Sequence, residues 1–465
     1  MASSDQASKK YFELKPDVAS FQDLIHYLFS GDIESKRFIE SLRAKETSLK
    51  RRGFIFLSVL VQRALQTVAI PLSTIGSVFE FWLNLLDCNG NFFLFLLNIV
   101  RDVGKVKMPA KESTKYLSYL GHLDLRFELD KGIKPGDKRY FAGLSVMASK
   151  LAYENNAFCK AVVEDQWKME FLGTYDFWNE YQERNSTQGL IFHDKSANPD
   201  MVIVAFRGTE LFNSDDWCTD FDLSWTKFKT MGYVHSGFMK ALGLQKDQSW
   251  PENVDEKHQL NLAYYSIREK LRKIFQQNSQ TRFILTGHSL GGALAVLFPA
   301  ILALHDETSI LERLEAIYTF GQPRVGDEIF GNFVNAQLKQ YGVKYYRFVY
   351  NYDIVCRLPY DSTTLMFKHF GTCIYYNSLY QGKIVPREPH KNYFSFRAII
   401  TRTADCLWEF LRGFLLPRLY GPEYREGLLL LGLRLIGVLL MPGLPAHSIH
   451  EYINAIRLGT ADLFC

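Results

Sequence analysis

The chain has 465 residues, of which 47% are apolar, 22% charged and 15% aromatic, too apolar for a disordered chain and too polar on average for a polytopic membrane protein. Its 54 Lys and Arg stand against 50 Asp and Glu, so there is no basic excess that would make nucleic acid an expected partner. Seven scattered cysteines without a CxxC pair argue against a disulfide scaffold and a Cys-type zinc site, and no metal or other cofactor is expected.

The first residues lack the apolar stretch of a secretory signal, so a cytosol-facing location is expected. Residues 34–52 are rich in charge and helix formers and give way at Gly53 to the apolar run GFIFLSVLV. From Val68 to Leu86 the only ionised group is Glu80, and Pro71 interrupts early. The Asp87 to Asn91 turn signal then leads into FFLFLLNIV. None of these runs reaches the roughly 20 clean apolar residues of a bilayer-spanning helix. Two readings stay open: interfacial helices or a hairpin entering one leaflet, with Lys50, Arg51 and Arg52 at headgroup level, or helices buried on the main domain. Residues 1–135 are accordingly expected to form a basic, apolar, membrane-associating region, and residues 136–465 the main domain.

From about Tyr140 strand-like and helix-like segments alternate. MVIVAF (201–206), RFILT (282–286), YTF (318–320) and YYRFVY (345–350) read as strands, and 290–302 and 327–340 as helices. Continuous apolar strands alternating with helices predict an α/β fold with a mostly parallel sheet covered on both faces.

Gly287-His288-Ser289-Leu290-Gly291 satisfies GxSxG between a strand and a helix. A sharp turn there strains the nucleophile's backbone and presents its hydroxyl at a helix N-terminus. Serine needs a histidine base oriented by a carboxylate, in the chain order Ser, acid, His. Asp353, at the C-terminal end of a predicted strand, is the favoured acid, with Asp327 and Asp361 as rivals. Among His369, His390, His447 and His450, His447 is the best placed base, in the loop before a helix opened by a Ser448 to Glu451 capping box. The loop after MVIVAF offers Thr209, whose N–H would complement that of Leu290 in an oxyanion hole. Trp217, Phe221 and Trp225 recur every fourth residue among aspartates, which predicts an amphipathic helix near 210–225. Its aromatics suit either a lid over the site or core filling.

Seven stretches carry a family resemblance: VIVAFRGTE (202–210), DDWCTDFD (215–222), VHSGF (234–238), TGHSLGGALA (286–295), TFGQPRVGD (319–327), NYDIVCRLP (351–359) and HSIHEYINAIRLG (447–459). The chain resembles the class 3 lipases, the fungal-lipase-like branch of the α/β-hydrolases, and within them the plant oil body lipases. The resemblance implies that Ser289, Asp353 and His447 are nucleophile, acid and base, that Thr209 belongs to the oxyanion hole, and that the stretch after it is the lid. Tyr352 and Cys356 depart from the family's acid-loop pattern. Residues 398–441 form an apolar insertion between acid and base, open to reading as an interfacial patch or as a buried helix pair. The implied activity is that of an interfacial hydrolase of triacylglycerol, with a lipid droplet monolayer as partner and cytosol-facing monotopic attachment. The alternatives are a phospholipase or galactolipase of the A1 type, and a non-catalytic droplet-coat protein.

Overall fold

Met201, Ile203 and Ala205 pack into one core, and Val202, Val204 and Phe206 into another, as the twofold alternation of a strand buried on both faces requires. In the computed structural model, which describes residues 11–33, 37–41, 48–101, 103–245, 249–254, 261–361, 366–390, 399–439, 441–460 and 463, this strand belongs to an eight-stranded sheet. In chain order the strands are β1 (Tyr11–Leu14), β2 (Ile39–Ser41), β3 (Glu170–Asn179), β4 (Arg184–Asp194), β5 (Met201–Phe206), β6 (Trp225–Phe228), β7 (Gly232–His235), β8 (Arg282–His288), β9 (Leu314–Phe320), β10 (Lys344–Tyr350), β11 (Thr372–Tyr376) and β12 (Gly382–Val385). The large sheet has the order β12-β11-β10-β9-β8-β5-β4-β3. Its five central strands, β5 and β8 to β11, are parallel, whereas β3, β4 and β12 pair antiparallel at its edges. Helices Ala263–Gln277, Leu290–Leu304 and Glu328–Gln340 cover one face, and Tyr140–Leu151 and Ile449–Leu458 the other.

The N-terminal region is more closely tied to the rest than a separate appendage would be. β1 pairs antiparallel with β6, and the small sheet runs β2-β1-β6-β7. Phe12 stacks on Trp225 across that pairing. Trp225 is therefore on a strand and buried, and the aromatic helix predicted to include it is shorter, Ser214–Phe221.

The apolar runs 53–100 form helices Leu49–Thr67, Ala69–Cys88 and Phe92–Arg101. The first packs against the 214–221 helix, where the Ser58 hydroxyl donates to the Phe221 carbonyl at 2.7 Å. The second corrects the expectation that no run is long enough: it continues unbroken for 20 residues, enough to span a bilayer by length and composition, and only 17% of its most apolar window is buried. Pro71 does not break it because a proline in the first turn removes an N–H that has no intrahelical partner. Its polar side is engaged, however. Glu80 accepts from the Tyr119 amide at 2.9 Å, and Asn84 exchanges two hydrogen bonds with the backbone of Leu117. Ile75, Val78 and Trp82 face outward on the opposite side.

Candidate active site

β8 runs into Ser289, whose φ of 58° and ψ of −131° lie outside the regions favoured for residues with a Cβ. The turn holds because its neighbours allow close approach: a Cβ on Gly291 would lie 2.2 Å from the Phe206 carbonyl oxygen. Helix Leu290–Leu304 starts directly after the serine, so the hydroxyl sits at a helix N-terminus. A mixed sheet with this strand, turn and helix is the α/β-hydrolase arrangement.

His447 lies in a single turn, Pro445–His447, just before the helix Ile449–Leu458. Its Nε2 is 2.9 Å from Ser289 Oγ and its Nδ1 is 2.8 Å from Asp353 Oδ2. Asp353 follows β10, is fully buried, and accepts further hydrogen bonds from the Val355 amide at 2.8 Å and the Tyr452 hydroxyl. Burial alone would raise its pKa, but His447 and the donated hydrogen bonds outweigh burial and hold the carboxyl below its ordinary value. The structure thus brings Ser289, Asp353 and His447 into one hydrogen-bonded chain.

The rival residues lie elsewhere. Asp327 caps the 328–340 helix by accepting from the Phe330 amide at 2.8 Å. Asp361 pairs with Lys368, His369 meets the Cys356 carbonyl, and the His390 ring lies beside Tyr352. His450 turns away to Asp124, 2.8 Å from its carboxylate. The expected capping box does not form. The Ser448 side chain makes no capping bond, and Glu451 is drawn off to Arg412 and Arg434.

Thr209 follows β5, and its loop is pressed onto the elbow: a Cβ on Gly208 would lie 2.4 Å from the His288 carbonyl oxygen. The Thr209 hydroxyl donates to Asp220 Oδ2 at 2.8 Å, which fixes the residue beside Ser289. Burial pushes the Asp220 carboxyl up to about 7 from 3.8. A raised carboxyl stabilises the fold fully below its unfolded pKa, near pH 4, and this contribution is lost as pH rises through about 7. The thermal unfolding temperature of Asp220→Asn is therefore expected to fall less between pH 5 and pH 8 than that of the wild type. Identical pH slopes for the two proteins would mean that Asp220 is already ionised in the fold at pH 5.

Three supporting residues were not singled out from the sequence. His288 Nε2 donates to the His447 carbonyl at 2.9 Å, leaving Nδ1 to accept from the Tyr153 hydroxyl at 3.0 Å. Burial and the neighbouring His447 push the pKa of His288 down to about 3, so it stays a neutral strut under His447. Tyr452 supports Asp353 in the same way, donating its hydroxyl to Oδ2. His288 lies inside GHSLG and Tyr452 inside HSIHEY, so the motifs held both; Tyr153 is 135 residues upstream of its partner and carries no local signal.

Ser289 is 2% exposed, beneath a cavity of about 50 Å³. This is far smaller than the roughly 300 to 1,000 Å³ of ordinary ligand sites, so an acyl chain has little room over the serine. Its cover includes Trp217 from the 214–221 helix, Leu120 and Leu123 from helix Tyr119–Leu123, and Leu433 from helix Leu428–Leu439. Trp217 stacks with Phe221 and donates from its indole to the Leu211 carbonyl at 3.0 Å. Trp225 is in the small sheet and takes no part in the cover.

A family model described as Lipase (class 3) matches residues 203–363. A protein named Triacylglycerol lipase OBL1 from Arabidopsis thaliana is 38% identical, over 97% of this chain and 95% of its own length. The chain belongs to the class 3 lipases. A protein of the same name from Ricinus communis is 32% identical to this class 3 lipase, over 97% of the chain and 95% of its own. The solved Rhizomucor miehei triacylglyceride lipase is 25% identical, covers 47% of this chain and 68% of its own, and superposes with a TM-score of 0.34.

Proposed function

We propose that this class 3 lipase is an interfacial serine hydrolase that cleaves acyl esters of triacylglycerol to free fatty acids at a lipid droplet surface. The observation that carries the reading is the Ser289, His447, Asp353 chain lying under a small apolar cover. His447 takes the Ser289 proton at Nε2 as Oγ attacks the acyl carbonyl, and the amides of Thr209 and Leu290 receive the oxyanion. The same Nε2 then gives the proton to the departing glyceryl oxygen. A water attacks the acyl-enzyme, losing its proton to His447, and the fatty acid leaves as Ser289 is reprotonated. Asp353 keeps Nδ1–H in place and stabilises the imidazolium.

Attachment is monotopic and cytosol-facing in this reading. The Ala69–Cys88 helix engages Glu80 and Asn84 with the protein and turns Ile75, Val78 and Trp82 outward, an arrangement suited to lying in one leaflet. Trp217 and Phe221 are the lid residues, and opening would move Trp217 off the nucleophile.

The deciding experiment compares fatty-acid release from a triacylglycerol emulsion with release from phospholipid and galactolipid vesicles, each beside Ser289→Ala. Release mainly from the emulsion, abolished in the alanine variant, is expected. Serine-dependent release mainly from vesicles would reassign the substrate to polar lipids, and no release from either would leave a non-catalytic protein.

A further inference from the structure

The apolar insertion forms two helices, Ile399–Tyr420 and Leu428–Leu439, packed against each other. Their polarity is inverted relative to an ordinary surface hairpin. Inward they bury charge: Arg412 meets Glu451 at 2.9 Å, and Arg434 meets Glu426 at 2.6 Å and also contacts Glu451. Glu409 accepts from the Tyr350 hydroxyl and the Asn351 amide, both at 2.9 Å. Outward, Leu407, Leu411 and Phe414 form one exposed row at helical spacing, and Leu428, Leu435 and Leu439 another. Contiguous exposed apolar surface of this kind marks a contact with another phase or partner.

Three features identify that partner as lipid. Leu433, on the side of the second helix turned away from its exposed row, lines the cavity over Ser289, so the helix that carries the exposed row also borders the site a water-insoluble ester must reach. Arg418, Tyr420 and Arg425 are exposed at the connecting end, where guanidinium and phenol groups suit the phosphate headgroup level. The second helix packs on the Tyr119–Leu123 helix, whose Tyr119 meets Phe79 of the exposed Ala69–Cys88 helix with ring centroids 5.9 Å apart. Two helices with exposed apolar rows, from distant parts of the chain, thus meet at the Tyr119–Leu123 helix beside the cavity.

We propose that the 399–439 hairpin is a lipid-docking surface in its own right, which seats the catalytic mouth on a phospholipid monolayer over neutral lipid, while its buried charges fix it to the helix that follows the base. The proposal rests on the lipase reading for its substrate, though not for its binding.

The test uses the full chain and triolein droplets coated with phosphatidylcholine and phosphatidylserine. In Leu411→Asp/Leu435→Asp, hydrolysis of a soluble short-chain ester should stay within about twofold of wild type, while emulsified triolein hydrolysis falls at least about tenfold through lost apolar contact. A control, Val78→Asp/Phe93→Asp, reports the separate contribution of the N-terminal helices to flotation with droplets. Unchanged triolein hydrolysis in the hairpin variant overturns the proposal, as does equal loss on both substrates. Leu435→Trp provides a readout that depends on neither charge nor catalysis. Its emission, taken as the difference from wild type so that Trp82 and Trp217 cancel, should shift to shorter wavelength when coated droplets are added. No shift, or a shift that requires only a second copy of the chain, also overturns it. If the Leu435→Trp protein shows the droplet-induced shift while the wild type releases no fatty acid, the lipase reading fails and the docking surface stands.

Discussion

Replacing Asp353 by asparagine is expected to lower turnover on a soluble ester by roughly 10⁴, with the fold retained. The carboxylate accepts from the His447 Nδ1–H at 2.8 Å, from the Val355 amide at 2.8 Å, and from the Tyr452 hydroxyl. An asparagine of the same shape keeps an acceptor for two of these donors. Its NH₂ group, however, can turn towards Nδ1 and favour the imidazole tautomer that carries its proton on Nε2. That nitrogen is 2.9 Å from Ser289 Oγ, and a protonated Nε2 cannot take the serine proton. Steady-state turnover beside a thermal unfolding curve checks this. A variant within tenfold of wild-type turnover would remove Asp353 from the reaction.

The hydrogen-bonded chain of Ser289, His447 and Asp353 was legible because each member stands in a short local pattern. Ser289 is framed by glycines between an apolar strand and an apolar helix, Asp353 follows a strand, and His447 precedes a helix. The central strands β5, β8, β9 and β10 were legible for a related reason: burial on both faces leaves uninterrupted apolar runs. Strand β3 was not, since Gly173 and Asp176 interrupt a segment at the edge of the sheet. β1 gave no signal because the partner that ties it to the main domain, β6, lies some 210 residues away. Trp225 continued a helical spacing by coincidence, and tertiary pairing with Phe12 decided its state. The Ser448 and Glu451 pattern failed as a capping box because two buried arginines compete for the glutamate, and both come from the insertion. Nor did the sequence reveal that Arg434, which interrupts an apolar run, points inward while Leu428, Leu435 and Leu439 point out.

Arg434→Leu is expected to be the most damaging substitution outside the triad, costing about 3 to 5 kcal/mol of stability. The side chain is fully buried and lies among Glu409, Glu426 and Glu451. Burial would raise the pKa of Glu451, but Arg434 and Arg412 outweigh it and hold it down at about 2; Arg434 likewise keeps Glu426 well below its ordinary value. Groups lowered in this way contribute stability above their unfolded pKa, near 4.5, and lose it only as pH falls through the folded value. Wild type should therefore gain nothing from acidification between pH 7 and pH 5 through this pair. Without the guanidinium the two carboxylates lose a charge partner, their pKa values rise, and protonation relieves the cost. The unfolding temperature of Arg434→Leu should accordingly rise more steeply than that of wild type as pH falls across that window, beyond the rise that Asp220 and Glu409 give both proteins. Adding Glu426→Gln should recover part of the loss at pH 7, because one of the two stranded charges is gone. A single variant within about 1 kcal/mol of wild type, or one whose response to acid is no steeper than that of wild type, would show that the hairpin is held by its apolar packing and not by its buried charges.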